Sequence, residues 1–458
     1  MNSKQALNES IFKAYDIRGI YPDELNEDAA YRIGIGFARS GLLTSGKGLV
    51  VGRDMRESSG SLFDAFASGA NAGGLDVIDI GLCTTPMLYF AVNVLNAAGG
   101  AMITASHNPG QYNGFKLVRE EAIPIGSDTG LDRIKQEALI ASRTGNGTHG
   151  GTTRQEDILD KYAAFFAQRF SVDLASPVVI DTGNGMAGAI LPRILQDQHI
   201  SYQPLFFEPD GRFPHHEANP LKEENLRQLR EAMDDTPGSI GVAFDGDADR
   251  VCFLDEAGRT IRGDLLVALL APRFLSERPG GKILYDLRSS RIVPEHILKF
   301  GGQPIRTRVG HAFIKHVMRE EGALFGGELS YHFYFSEFFN CESGVLAMLE
   351  VLNIVAESGQ SLSELIDPLR KYSHSGEINF RVTSVEDALR AIENDFSDGS
   401  ISRLDGLSVE YEDWWFNMRP SNTEPLLRLN LESDTAAGMK EHVDQVKHLL
   451  KPHLKGDR

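Results

Sequence analysis

The chain has 458 residues, a hydrophobic share of 41% and a formal net charge of −18. That length calls for about three or four domains rather than one core. So acidic a surface argues against nucleic acid and anionic membrane as partners, since both need concentrated Lys and Arg, whereas a small anionic ligand needs only a local arginine cluster.

The opening stretch, MNSKQALNESIFKAYDIRG, has no apolar core of signal-peptide type. No later apolar run approaches the roughly 20 residues of a membrane span. Gly41–Gly48 (GLLTSGKG) nearly spells a phosphate-binding Walker loop, but Gly48 stands where Ser or Thr is needed and a strand follows instead of a helix. Three segments repeat one pattern of apolar strand, polar loop and helical stretch: Gly48–Ser59 (GLVVGRDMRESS), Pro177–Gly188 (PVVIDTGNGMAG) and Lys282–Ser290 (KILYDLRSS). They predict three successive, similar α/β domains with largely buried sheets.

Ala101–Lys116 (AMITASHNPGQYNGFK) reads as an apolar strand followed by a loop that carries Ser106, His107 and Asn108 ahead of Pro109. Proline blocks easy continuation into helix or central strand, so the loop stays a loop. A polar turn, a serine hydrolase and a phosphate-carrying serine compete here. The hydrolase lacks its glycines, because Thr104 and Asn108 occupy those positions. A phosphate-carrying serine needs a cation and cationic side chains elsewhere in the chain.

The polar, Gly- and Thr-rich stretch Ala141–Arg154 reads as an exposed connection, which ends a first domain at 1–150. Gly183–Gly188 (GNGMAG) matches a dinucleotide fingerprint, with Glu208 about 20 residues on. It equally suits a tight strand-to-helix turn. In Val242–Leu254 (VAFDGDADRVCFL), Asp245, Asp247 and Asp249 alternate with small residues between two apolar strands. Three carboxylates so close repel one another unless a cation intervenes, and hard oxygen ligands suit Mg²⁺ or Ca²⁺. A calcium-binding EF-hand fails because Arg250 takes the position of its glycine and the flanks read as strands. A turn at Glu256–Gly258 closes a second domain, 151–256.

The third domain, 257–371, contains Gly326–Phe335 (GGELSYHFYF). Read as an extended strand, it sets Glu328, Ser330 and His332 on one face, where they suit the vicinal hydroxyls of a sugar. The last segment, 372–458, is too small for a large α/β unit and reads as α+β. Its loop Met418–Pro425 (MRPSNTEP) offers Arg419, Ser421, Asn422 and Thr423 to a phosphate, with Arg428 in the strand that follows. The three cysteines, Cys83, Cys252 and Cys341, are odd in number and far apart, which favours the cytoplasm over a disulfide framework.

Taken together, KAYDIRG (Lys13–Gly19), TASHNP (Thr104–Pro109), DGDADR (Asp245–Arg250), GELSYH (Gly327–His332) and RPSNTEP (Arg419–Pro425) resemble, in order, the motifs of the α-D-phosphohexomutase superfamily. Within it the chain is similar to the bacterial phosphomannomutase/phosphoglucomutase group. The resemblance implies four domains around a central cleft and reversible transfer of phosphate between O1 and O6 of mannose or glucose phosphate, by way of a hexose 1,6-bisphosphate. It implies Ser106 as the phosphorylated residue and Ser106 with Asp245, Asp247 and Asp249 as Mg²⁺ ligands. By the same resemblance Lys116 and His332 move protons, and Arg18 and Arg250 steady phosphate beside Ser106 and His107. Arg288, His311, Glu328, Ser330 and Arg419 to Thr423 contact the substrate. Relatives often have lysine at Arg288 and a small residue at Tyr331, which leaves the sugar preference open. Phosphoglucosamine mutase and a dinucleotide-dependent oxidoreductase stand as alternatives. The expected partner is a small sugar phosphate, with the protein a monomer or weak homo-oligomer.

Overall fold

A computed structural model describes residues 7–142, 150–420 and 426–455. The chain divides into two compact units, Met1–Arg262 with Ser330–Ser363 and Gly263–Leu329 with Glu364–Arg458.

In the first unit, the first sheet contains β1 (Ile17–Ile20), β2 (Leu49–Arg53), β3 (Val77–Leu82), β4 (Gly99–Ile103), β5 (Tyr112–Arg119) and β6 (Thr153–Gln155), in the order β1-β5-β4-β2-β3-β6. The strands from β4 to β6 in that order run parallel, and β5 and β1 close the other edge antiparallel. Both β2 and β4 are buried almost throughout, as expected of strands covered on two faces. The expected connection 141–154 is partly strand: Thr153–Gln155 pairs with β3 as an exposed edge, and residues 143–149 lie outside the described residues.

The second sheet comprises β7 (Asp173–Asp181), β8 (His199–Leu205), β9 (Ile240–Phe244), β10 (Val251–Leu254) and β11 (Thr260–Ile261), ordered β11-β10-β9-β7-β8. Helices begin where local chemistry supplies their free N–H groups with acceptors. Asn26 caps Glu27–Arg39, Thr84 caps Thr85–Val94 with Pro86 in its first turn, and Ser343 caps Gly344–Ser358. Helix Gly344–Ser358 is apolar nearly all round because it packs against β7 and β10. Among the described residues no single helix is long and apolar enough to cross a membrane.

In the second unit, strands Gln303–Thr307, Lys282–Asp286 and Phe325–Gly327 pair in parallel, with Lys282–Asp286 in the middle. The same unit holds a five-stranded antiparallel sheet, in the order Ser373–Arg381, Leu426–Ser433, Trp414–Pro420, Leu407–Glu410, Ser400–Ser402. Phe416, Met418, Leu427, Leu429 and Leu431 alternate into a core completed by Ile392 and Val446 of helices Val385–Asp395 and Ala436–Leu450. This is the expected α+β segment.

The three repeated strand–loop–helix segments share a turn. Asp54, Asp181 and Asp286, at or just past the end of their strands, each accept a hydrogen bond from the backbone N–H two residues on, at Arg56 (3.1 Å), Gly183 (2.8 Å) and Arg288 (2.7 Å). An Asx turn of this kind lets a buried strand reverse into a helix without leaving its first amides unpaired.

Candidate active site

In the first unit, Ser106 follows β4 with φ +50°, in the left-handed region that a serine seldom adopts. Its N–H donates to Thr104 Oγ1 at 2.9 Å, and its hydroxyl donates to Asp245 Oδ2 at 2.8 Å. His107 Nδ1 lies 3.2 Å from the same hydroxyl. Burial, then the cations Arg250 and Arg18, hold the His107 imidazole well below its ordinary pKa, so it stays neutral. Arg18 donates to Asn108 Oδ1 at 2.6 Å and pairs with Asp16.

The aspartates occupy the turn between β9 and β10, where Ala248 has φ +59°. Gly246 is required here, because a Cβ would stand 2.5 Å from the Ser106 carbonyl oxygen. One oxygen from each of Asp245, Asp247 and Asp249 falls within 4.8 Å of the others, and all three residues are buried. Lys116, from β5, donates to Asp247 Oδ2 and Asp249 Oδ2, both at 2.6 Å, and Thr85 also bonds Asp247. Burial alone would depress the Lys116 ammonium, but the two carboxylates raise it above its usual value. Burial and the charges of Asp249 and Asp247 hold Asp245 well above the carboxylate range. Asp249 is held well below it, since Lys116 and His332 outweigh burial. Arg250 donates from its backbone to Asp245 and from Nε to His332 Nε2 at 3.1 Å, and that imidazole nitrogen lies 3.4 Å from Asp249 Oδ1.

A divalent, oxygen-liganded cation fits these donors. Among the described residues Asp247 Oδ1 is buried and accepts no hydrogen bond, while Lys116 reaches only Asp247 and Asp249, and the Arg250 Nε stands 3.8 Å from Asp245 and 4.0 Å from Asp249.

The second unit gathers arginines. Arg288 is buried against Asp286 at 2.6 Å, with Glu328 Oε1 at 3.9 Å, and Glu328 also accepts the Gly310 N–H that precedes His311. Arg419 and Arg428 stand directly opposite each other on paired strands and share Glu377, at 3.1 and 3.6 Å. That register puts both side chains on one face of the sheet. Burial and the charges of Arg288 and Arg428 lower the Arg419 pKa, and its Nε is buried without an acceptor among the described residues. Such a group of guanidiniums calls for an anion. Ser421, Asn422 and Thr423 lie outside the described residues.

One reading of the sequence needs correction, and one pair of alternatives is decided. Glu328, Ser330 and His332 do not share one strand face: Glu328–Tyr331 is not strand, and Tyr331 has φ +70°. The Tyr331 side chain is buried beside the Cys252 thiol, so the chain reverses there and Ser330 Oγ comes 3.4 Å from His332 Nδ1. In GNGMAG, the glycines serve packing. A Cβ at Gly188 would stand 2.1 Å from the Phe207 carbonyl oxygen, and one at Gly185 2.9 Å from that of Gly246. That loop therefore buttresses the aspartate turn.

Sequence reasoning missed Thr85 and Arg56. The Arg56 guanidinium is buried and donates to the carbonyls of Ser106, Asn108, Pro109 and Tyr112. The only local sign of it was the GRDMR turn itself, since its acceptors lie about 50 residues away in sequence.

A serine hydroxyl bonded into a buried carboxylate triad is the donor set of an enzyme of phosphoryl transfer. The four domain families of phosphoglucomutase/phosphomannomutase match residues 9–142 (domain I), 160–258 (domain II), 262–372 (domain III) and 377–449 (C-terminal domain). The chain is 42% identical over 449 residues to a protein of Xanthomonas campestris described as phosphohexose mutases, covering 96% of this chain and 99% of that one. It is 40% identical to a phosphomannomutase of Methanocaldococcus jannaschii, covering 96% and 97%. A crystal structure of a phosphoglucomutase/phosphomannomutase family protein from Burkholderia thailandensis superposes with a TM-score of 0.88 at 33% identity, covering 97% of each chain. The chain belongs to the phosphoglucomutase/phosphomannomutase family. Its activity is that of a phosphohexomutase, an isomerase, and the dinucleotide-dependent alternative falls away.

Proposed function

We propose that this enzyme moves phosphate reversibly between O1 and O6 of mannose or glucose phosphate, with Ser106 as the phosphoryl carrier. The observation that carries this reading is the Ser106 hydroxyl, which is already hydrogen-bonded to one of three buried, clustered aspartates. In the forward half-reaction, the P–O bond to Ser106 Oγ breaks as a new P–O bond forms to the free sugar hydroxyl. The hydroxyl proton passes to a base and Ser106 Oγ receives one, so the products are a hexose 1,6-bisphosphate and free serine. After the sugar turns over, the second half-reaction returns its other phosphate to Ser106.

Asp245, Asp247, Asp249 and Ser106 Oγ would hold Mg²⁺, which when bound supplies Lewis-acid stabilisation of the charge on the transferring group. Lys116 and His332, beside the same carboxylates, are assigned to proton movement. Arg18, Arg250 and the neutral His107 steady phosphate at Ser106. Glu328, with Ser330, reads the sugar hydroxyls. Arg288, His311 and Arg419, with Ser421 to Thr423, hold the phosphate that is not being transferred. The three cysteines are buried free thiols, which supports a reducing cytoplasm.

Intact-mass analysis of active enzyme should find one phosphate, lost in Ser106→Ala together with at least several orders of magnitude in rate. Active enzyme that never carries phosphate refutes the assignment. A coupled assay on mannose, glucose and glucosamine 1-phosphates decides the sugar and tests the phosphoglucosamine alternative, which the relatives favour less.

A further inference from the structure

Arg56 has no part in the chemistry above, yet its side chain is fully buried beneath the Ser106 loop. A guanidinium has five N–H donors in a rigid plane. All five are used: Nε meets Asp54 Oδ2 (3.0 Å), Nη1 meets the Pro109 and Tyr112 carbonyls (2.7 and 2.9 Å), and Nη2 meets those of Ser106 and Asn108 (2.8 and 2.6 Å). Asp54 is fixed in turn, accepting the Ser59 hydroxyl at 2.6 Å and the Arg56 N–H. The Phe213 ring lies 5.2 Å from the guanidinium carbon, and a Cβ at Gly211 would stand 2.4 Å from Arg56 Cα, so the Arg56 backbone is packed closely beneath the cation.

This is more than one buried ion pair requires. The Pro109 carbonyl also accepts the Tyr112 N–H, but those of Ser106, Asn108 and Tyr112 take their donor from Arg56, and Ser106 itself holds a left-handed φ that a serine seldom adopts. The same Asp-x-Arg turn recurs at Asp286–Arg288, where the arginine faces Glu328. In the first unit the turn has instead been directed at main-chain oxygens.

We propose that Arg56 is the positioning residue of Ser106: it clamps the serine's own carbonyl and the loop that follows it, as far as Tyr112, so that Oγ is held at Asp245. The proposal rests on the reading of Ser106 as phosphoryl carrier. Lysine keeps the charge but has three donors and no plane, so it cannot meet four carbonyls and Asp54 together.

The test compares wild type, Arg56→Lys and Arg56→Ala, each well below its own melting temperature. It follows phosphorylation of Ser106 by hexose 1,6-bisphosphate in single turnovers, alongside steady-state kcat and KM. A loop displaced by about 1 Å costs on the order of 100-fold in transfer rate. Arg56→Lys should show that loss with KM for sugar phosphate changed less than about twofold, because the arginines of the second unit are untouched. Guanidinium ion at non-denaturing concentration should restore part of the rate to Arg56→Ala and nothing to wild type. Wild-type transfer rates in Arg56→Lys, with only a lowered melting temperature, would overturn the proposal. Should neither Arg56 variant fold, Asp54→Asn loosens the clamp from its other end: slower transfer at unchanged KM supports the proposal, and an unchanged rate overturns it. Wild type lacking phosphate at Ser106 refutes the carrier assignment itself, a result distinct from any behaviour of the variants.

Discussion

Gly246→Ala isolates the contact between the serine loop and the aspartate turn. The added Cβ would stand 2.5 Å from the Ser106 carbonyl oxygen, about 0.9 Å inside the 3.4 Å at which ordinary contact begins. Neither side yields easily. The Ser106 carbonyl accepts from Arg56 at 2.8 Å, and the Gly246 carbonyl accepts the Met186 N–H at 2.9 Å. The two loops must therefore separate by nearly the whole overlap, which stretches the 2.8 Å Ser106–Asp245 hydrogen bond. A misplacement of about 1 Å costs on the order of 100-fold in rate. Overpacking adds a stability loss of about 1–3 kcal/mol. Coupled-assay kinetics across a Mg²⁺ titration, with calorimetry alongside, should show kcat down by that factor, weaker cation dependence and a nearly unchanged KM for sugar phosphate. Wild-type kcat in Gly246→Ala would refute the claim that the close approach of these loops sets the reacting geometry.

Chelation should abolish activity, and Asp247→Asn should weaken both cation affinity and turnover; full activity in excess chelator, with no metal by elemental analysis, would rule the site out. On the proposed role of Arg419, its replacement by Ala should cost a charge-assisted phosphate contact worth about 1.5–3 kcal/mol and raise KM roughly 10- to 150-fold in both directions. A penalty in one direction alone would show that the two poses of the sugar do not share this arginine. His216, 3.0 Å from Asp181, has its pKa raised: burial opposes the charge, but the Asp181 hydrogen bond and carboxylate outweigh it. A raised folded-state pKa means that the pair's stabilisation is complete below the unfolded value of about 6.5 and is lost as pH rises through the folded value. The melting-temperature gap between wild type and His216→Gln should thus be widest in mild acid and narrow towards alkaline pH; a gap that widens with pH would contradict the assignment.

The sequence was most informative where chemistry is local. Asp245, Asp247 and Asp249 sit on one short turn, so their crowding is legible from spacing alone. Ser106 is marked by the strand before it and the proline after it, and the three Asp-turn repeats are visible because strand, loop and helix are consecutive. Periodicity overreached at Glu328–His332. A strand pattern assumes extended backbone, and the left-handed Tyr331, anchored beside Cys252, reverses the chain instead.

Tertiary structure decided which distant groups meet. Lys116 reaches Asp247 across 131 positions and Arg56 reaches the Ser106 carbonyl across 50, and no local propensity encodes such pairs. Arg428 acquires its orientation only from antiparallel register with Arg419. GNGMAG changes meaning for the same reason: in sequence its glycines fit a pyrophosphate, but in the fold other backbone already fills that space. A side chain's type limits what it can bind, whereas the backbone that packs around it determines what it does bind.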